Sequence, residues 1–284
     1  MQTVKLIGGA PEFGYPAGVL LDIPEAQYHA LPRLSKSVIS GYKTPKHLAY
    51  SMEKPHERKE AFDQGSAFHV MTLEPHLFDE KVAILPSCSR QGAANQATHA
   101  KFEAENIDKA WIKAEYRERV NLMRESVLSN PECAKYLARG RAEKALFWTD
   151  QYGLLWKMRM DWLTELGGEF CIVDLKKTRA GADPREFAKT VGNFRYHWQA
   201  YLYREGFLAN FGIRPRFVFI AVEDEAPFCS AVYELDESSL LKAAADIEPI
   251  RAELAELIVT QKLERKFWPG YPAITNTISV PSWA

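Results

Sequence analysis

The sequence predicts a single α/β domain with a central mixed β-sheet flanked by helices. Three observations predict it. Strand-type segments KALFWTD, GLLWKMRMDWLTE and EFCIVDLKKT follow one another over residues 144–150, 153–165 and 169–178. Two more, RFVFIAVE and FCSAVYEL (216–223 and 228–235), come after an intervening helical stretch. No linker separates two hydrophobic cores, so helices and strands must share one.

The elements read as follows. Residues 1–34 are rich in Gly and Pro and predict an irregular N-terminal segment. SKSVISGYKTPKHLAYSME (35–53) predicts two short helices parted at Thr44-Pro45, because proline disfavours helix in the residue before it. QGSAFHVMTLEP predicts a helix that turns Phe68, Met71 and Leu73 to a core. Residues 95–128 predict a long polar helical region punctuated by Phe102, Trp111, Leu122 and Val127. Asp183-Pro184 predicts a helix start, with an N-cap acceptor before a first-turn proline. That helix is expected to run to Asn210 with a bend at Gly192. Residues 236–262 predict a closing amphipathic helix, and 264–284 a Pro- and aromatic-containing tail.

Of the 284 residues, 46% are hydrophobic, which suits a globular protein with a real core. No apolar run approaches the roughly 20 residues of a membrane span, and AGVLL is too short for a signal peptide, so a cytoplasmic chain without membrane contact is expected. Cys88, Cys133, Cys171 and Cys229 are scattered with no Cys-x-x-Cys pair. That spacing argues against structural zinc or a disulfide scaffold and for reduced thiols. The net charge is −1, so the whole chain does not attract polyanions. Residues 31–59 differ: seven Lys or Arg stand against two Glu, a net +5, while the remainder carries −6. Such a segment marks either a phosphate-binding surface or a solvated basic face.

The informative stretch is KMRMDWLTELGGEFCIVDLKKT, residues 157–178. Gly167-Gly168 signals a two-residue hairpin, since both central positions of such turns favour positive φ. If Leu166 and Glu169 flank the turn, Asp161 falls opposite Asp174. Side chains alternate along a strand, so Lys176 shares the face of Asp174, with Arg159 expected opposite it and Leu163, Phe170 and Ile172 beneath. Carboxylates facing each other on paired strands repel. Burial adds to the cost unless positive charge offsets it. Lys176 supplies one positive charge and a divalent cation would supply the rest. Oxygen ligands of this kind suit Mg²⁺ or Mn²⁺. A metal-bound water beside Lys176 is the nucleophile that phosphodiester hydrolysis needs. The plainer alternative is a salt-bridged strand pair without catalysis.

Other residues bear on that choice. His69, on the helix of Gly65-Ser-Ala-Phe-His69, is a further candidate ligand or else a satisfied core histidine. Gln199 and Tyr203 lie four apart on one helix face, placed to bond a phosphate, to position Lys176, or to act as surface and core.

The ordered set SKSVISGYKTPKHL, GSAFHVMTLEP, EKALFW, YGLLWKMRMDWL, IVDLKKT and YHWQAYLY, over about residues 35–205, resembles the exodeoxyribonuclease VIII (RecE) family. That family lies in the RecB and lambda-exonuclease branch of the PD-(D/E)xK nucleases, and the ordered set is far more specific than any one motif. The resemblance implies a restriction-endonuclease-like core over the whole of residues 1–284. It implies that Asp161 and Asp174 bind metal and that Lys176 is the catalytic lysine. Leu175 would offer its backbone carbonyl to the metal. His69 matches the Gly-x-x-x-His motif, and Gln199 with Tyr203 the Gln-x-x-x-Tyr motif. Asp174 stands where the wider pattern has Glu. Glu143 in EKALFW matches a recurring acidic position, as a metal contact or a structural one.

The resemblance further implies two Mg²⁺ or Mn²⁺ ions per site and no ATP. The four scattered cysteines do not fit the iron–sulfur cluster of some relatives. The implied substrate is linear double-stranded DNA, digested from its 5′ end in phage-type recombination. The implied assembly is a ring-shaped homo-oligomer, trimer or tetramer, working beside a single-strand annealing protein. Ser35, Ser37, Lys43 and Lys46 of the basic segment, with Arg159, Gln199 and Tyr203, are then the expected DNA contacts. Alternatives are an endonuclease or single-strand nuclease on the same fold, or a DNA-end-binding protein without catalysis.

Overall fold

A computed structural model describes residues 18–54, 58–275 and 277–280. Its centre is a five-stranded sheet in the order β3-β4-β5-β6-β7. The strands are β3 (Gly140–Thr149), β4 (Leu155–Leu166), β5 (Glu169–Thr178), β6 (Arg216–Glu223) and β7 (Ser230–Glu234). β5 and β6 run parallel and the other neighbours antiparallel, so the sheet is mixed. The parallel pair requires a crossover, which α9 (Pro184–Asn193) and α10 (Tyr196–Phe211) supply.

Alternation along the strands gives the sheet two buried faces. On β5, Cys171, Val173 and Leu175 enter one core with Phe68 of α4 (Glu60–Leu73) and Val120 and Met123 of α7 (Ala114–Ser129). Ile172 faces the other core with Phe207 of α10, Phe187 of α9 and Ile247 of α11 (Glu237–Ala255). Short helices α1 (Glu25–Ala30), α2 (Lys36–Ile39) and α3 (Pro45–Glu53) precede α4. A second small sheet pairs β1 (Val82–Ile84) with β2 (Ala110–Ile112); α5 (Phe78–Lys81) precedes β1, α6 (Ala93–Glu105) separates the two strands, and α8 (Pro131–Leu137) follows α7. No helix among the described residues is long and apolar enough to cross a membrane.

The structure departs from expectation in three places. The helical region 95–128 is two helices with β2 between them. Asn106 turns its amide back to the Phe102 carbonyl at 2.9 Å and ends α6. Trp111 then enters β2, its ring beneath the Arg58 guanidinium at 3.6 Å and its indole N–H bonded to Asn106 O. The helix begun at Asp183 caps as expected, with Asp183 accepting from Arg185 and Glu186. It breaks at Phe194–Arg195 rather than bending at Gly192, because Arg195 takes left-handed φ 54. Finally, residues 1–17 of the expected irregular segment lie outside the described residues, and the rest contains α1 and bridges Leu21 to Ala145 and Leu34 to Trp156. In the tail, 276 and 281–284 lie outside the described residues.

Packing of α10 on β3 leaves no room for a side chain at Gly206, where an added Cβ would meet the Trp148 ring at 2.8 Å. Trp148 is itself stacked on the fully buried Trp156 and cannot withdraw freely. Gly206→Ala is therefore expected to destabilise the protein by about 1–3 kcal/mol, the usual cost of overpacking. Denaturant unfolding measures it, and an unchanged midpoint would refute this packing.

Candidate metal centre

Gly167 and Gly168 both take positive φ (61° and 86°), and Leu166 pairs with Glu169, so the glycine hairpin forms in the expected register. The ladder runs from there to Trp162 opposite Val173 and stops. Asp161 and Asp174 therefore do not form the directly opposed pair that the register predicts. The reason is local. Met158 and Met160 of β4 face the α10 core, yet Leu163 faces that same core while Trp162 packs on the other. The alternation of β4 thus changes phase around Asp161. On β3, the residue across from Asp161 is Glu143, held at φ 52 and missing from an otherwise regular ladder. Both irregularities fall at the same level of the sheet, where β4 and β5 part. Asp161 Oδ2 fills the gap by accepting the Leu175 backbone N–H at 2.9 Å.

The parting strands collect three ligand groups. His69 of α4, Glu143 and Asp161 each offer an atom, and these atoms lie within 4.8 Å of one another. His69 Nε2 donates to the Leu175 carbonyl at 3.0 Å, which fixes the ring and leaves Nδ1 facing Asp161 Oδ2 at 3.4 Å. The Leu175 carbonyl expected to meet a metal is thus a hydrogen-bond acceptor for His69. Arg159 Nε lies 2.9 Å from Glu143 and its Nη2 3.4 Å from Glu25 of α1, so this expected DNA contact is paired with the acidic cluster. Burial pushes the Glu143 carboxyl up to about 7; Arg159 opposes the rise and Asp161 adds to it.

Asp174 lies outside that trio. Almost wholly buried on the α10 side, it accepts the Gln199 side-chain amide and pairs with the Lys176 ammonium. Burial raises its carboxyl to about 6, against the pull of Lys176 and with Asp161 adding. Burial alone would lower the Lys176 pKa, but the Asp174 and Asp161 carboxylates outweigh it and raise it, so the ammonium stays charged. Tyr203 donates its hydroxyl to the Arg159 carbonyl at 3.1 Å, so Gln199 and Tyr203 both support the site from α10.

The expected phosphate contacts of the basic segment divide. Ser35 is buried and caps α2, its hydroxyl taking the Val38 N–H and meeting Ser37 Oγ at 2.9 Å. Ser37, Lys43 and Lys46 are exposed. Lys36, passed over as a site residue, reaches inward instead: its ammonium lies 5.0 Å from the Tyr196 ring, and that ring lies 4.7 Å from the Lys176 ammonium. Burial, then Lys176, lowers Lys36 to about 8. Tyr196, the first residue of α10, was likewise invisible in a helical pattern, since only the break at Phe194–Arg195 turns it to the site.

Residues 37–271 match the family model of the PDDEXK-like domain of unknown function (DUF3799). The chain belongs to this PDDEXK-like family. Among solved structures, a "Putative exonuclease" of Eubacterium rectale superposes with a TM-score of 0.54 over 91% of this chain and 97% of that one at 13% identity, a likeness of fold. SSO0001 aligns over 67% of this chain and 85% of its own at 13% identity, with a TM-score of 0.26 that carries no argument. No curated protein matches.

In this PDDEXK-like domain, one imidazole nitrogen and two carboxylates converge where burial has already raised a carboxyl pKa. That donor set fits a hard or borderline divalent cation. Glu143, left open between metal contact and structure on sequence grounds, stands in the ligand trio, and Asp174 stands beside it. Because ligands must be deprotonated, binding should strengthen as pH rises through the Glu143 value. The sign is set by the raised pKa. Without metal, the stability that protonated Glu143 and Asp174 contribute is full below about pH 4 and is lost as pH rises through about 6 to 7. The rise in melting temperature on adding Mn²⁺ is therefore expected to be larger at pH 8 than at pH 6. Glu143→Gln should weaken Mn²⁺ binding at least about tenfold and flatten that pH dependence. Equal Mn²⁺ shifts at both pH values would contradict the assignment.

Proposed function

We propose that this domain is a divalent-cation-dependent nuclease that hydrolyses phosphodiester bonds of linear double-stranded DNA, working from the 5′ end. The observation that carries the reading is the adjacency of two charge arrangements: the His69–Glu143–Asp161 trio and the buried Asp174–Lys176 pair. The first is a ligand set for a cation, which when bound would stabilise charge on the scissile phosphate and make water more acidic. The second keeps an ammonium charged and aimed by a carboxylate, as a group that orients water or meets a phosphate oxygen must be. Asp161 joins the two by bonding the Leu175 N–H between Asp174 and Lys176. Gln199 and Arg159 hold Asp174 and Glu143 in place.

The Eubacterium rectale neighbour carries the name exonuclease, which agrees with this reading. The preference for 5′ ends, use of two Mg²⁺ or Mn²⁺ ions without ATP, a trimeric or tetrameric ring and an annealing partner in recombination rest on the resemblance to the exodeoxyribonuclease VIII family. The experiment is digestion of 5′- and 3′-labelled linear duplex and of closed circular duplex, with Mg²⁺ and with EDTA. The expected result is release of 5′-terminal label from linear DNA, an intact circle, and no reaction in EDTA. Rapid loss of the circle would make the protein an endonuclease. Lys176→Ala and Asp161→Asn are each expected to lower turnover by at least about 100-fold, the scale for losing one charge-stabilising group. Parental rates in purified Lys176→Ala would remove the catalytic role.

A further inference from the structure

Phe194 is a large aromatic residue exposed over 60% of its surface, and it sits two steps from the proposed catalytic lysine. The exposure does not come from a loose segment. Its backbone N–H bonds Thr190 O at 3.0 Å, its carbonyl accepts the Lys36 ammonium at 3.0 Å, and the next residue, Arg195, donates to Ser40 O at 2.8 Å. The break between α9 and α10 is thus tied to α2 on both sides. The ring lies nearly parallel to Tyr196, with centroids 5.6 Å apart and planes at 19°. With one face on Tyr196, so much exposure leaves the other face to solvent. Lys36 and Lys176 both place their ammonium groups at the Tyr196 ring, at 5.0 and 4.7 Å. An exposed aromatic face and two cations within one residue of each other are what a single nucleotide requires: a surface for its base and positive charge for its phosphate.

Within a duplex both faces of a base are covered by its neighbours. The terminal pair of a blunt end still offers one face, but only along the helix axis. An unpaired base can turn a face to Phe194 while its phosphate lies at the lysines, so the arrangement favours unpaired ends. We propose that Phe194, backed by Tyr196, stacks on the base of an unpaired terminal nucleotide whose phosphate lies at Lys176 and Lys36, making frayed or overhanging ends the preferred substrate. This rests on the nuclease reading above and adds to it a site for the base. Phe194 would bind substrate and leave the chemistry to the metal centre.

The test uses the full chain with Mg²⁺ and linear duplexes bearing a short unpaired 5′ end, either complete or lacking its terminal base. Phe194→Leu keeps size and apolarity but loses the aromatic face, and Phe194→Trp keeps that face. For the complete substrate, Phe194→Leu is expected to raise KM about tenfold with little change in kcat, the order of effect of one base stacked on an aromatic ring. Phe194→Trp should match the parent. The base-lacking substrate should show the same rise in KM with the parent protein, and Phe194→Leu should add nothing to it. The parent-protein arm needs no variant to fold. A KM unchanged in Phe194→Leu, or an equal further loss on the base-lacking substrate, overturns the stacking site while the nuclease reading stands. A parent that hydrolyses no DNA overturns both.

Discussion

The architecture of the site follows from negative charge gathered where β4 and β5 separate. Glu143 and Asp161, half-buried, come together with the buried Asp174, and unpaired carboxylates are costly there. Each meets the problem with a different partner. Asp161 takes a backbone N–H and the His69 ring, Glu143 takes Arg159, and Asp174 takes Lys176 and Gln199. Two of the three nevertheless have raised pKa values. Burial is the main cause of both rises. By charge count, the Arg159 and Lys176 cations paired here leave one of the three carboxylates over, and that remainder is what a divalent ion would neutralise.

The two faces of β5 keep this arrangement rigid. Lys176 and Lys177 are sequence neighbours, yet alternation sends them to opposite sides of the sheet, each to its own buried carboxylate. Lys177 lies 3.0 Å from Asp224, which also accepts the Tyr116 hydroxyl at 2.8 Å. Lys177 further donates to Gln64 of α4 at 3.3 Å. The helix that carries His69 is thereby tied to the strand that carries Lys176 at two points, Gln64 to Lys177 and His69 to the Leu175 carbonyl.

Much of this was legible in the sequence because it depends on local rules. Strands β5 and β6 begin and end where their apolar runs do, and the glycine hairpin forms as two consecutive positive-φ residues require. The shared face of Asp174 and Lys176 follows from period-two alternation alone. What escaped was not local. The opposition of Asp161 and Asp174 failed because β4 changes phase at that level, and no residue type announces a phase change. Glu143 joined the trio through a left-handed conformation that is uncommon for a glutamate and leaves no mark in composition. Trp111 read as a helix punctuation because its strand is three residues long and paired to a segment 28 positions earlier. Lys36 read as one more basic surface residue, whereas the fold turns it to Tyr196.

The central claim is that His69, Glu143 and Asp161 form one cation site beside the Asp174–Lys176 pair. Manganese anomalous scattering from a crystal soaked at pH 8 tests it most directly. The account predicts a peak in contact with His69 Nδ1 and with carboxylate oxygens of Glu143 and Asp161. A soaked crystal with no peak among those three side chains, or with manganese bound only elsewhere, would contradict it.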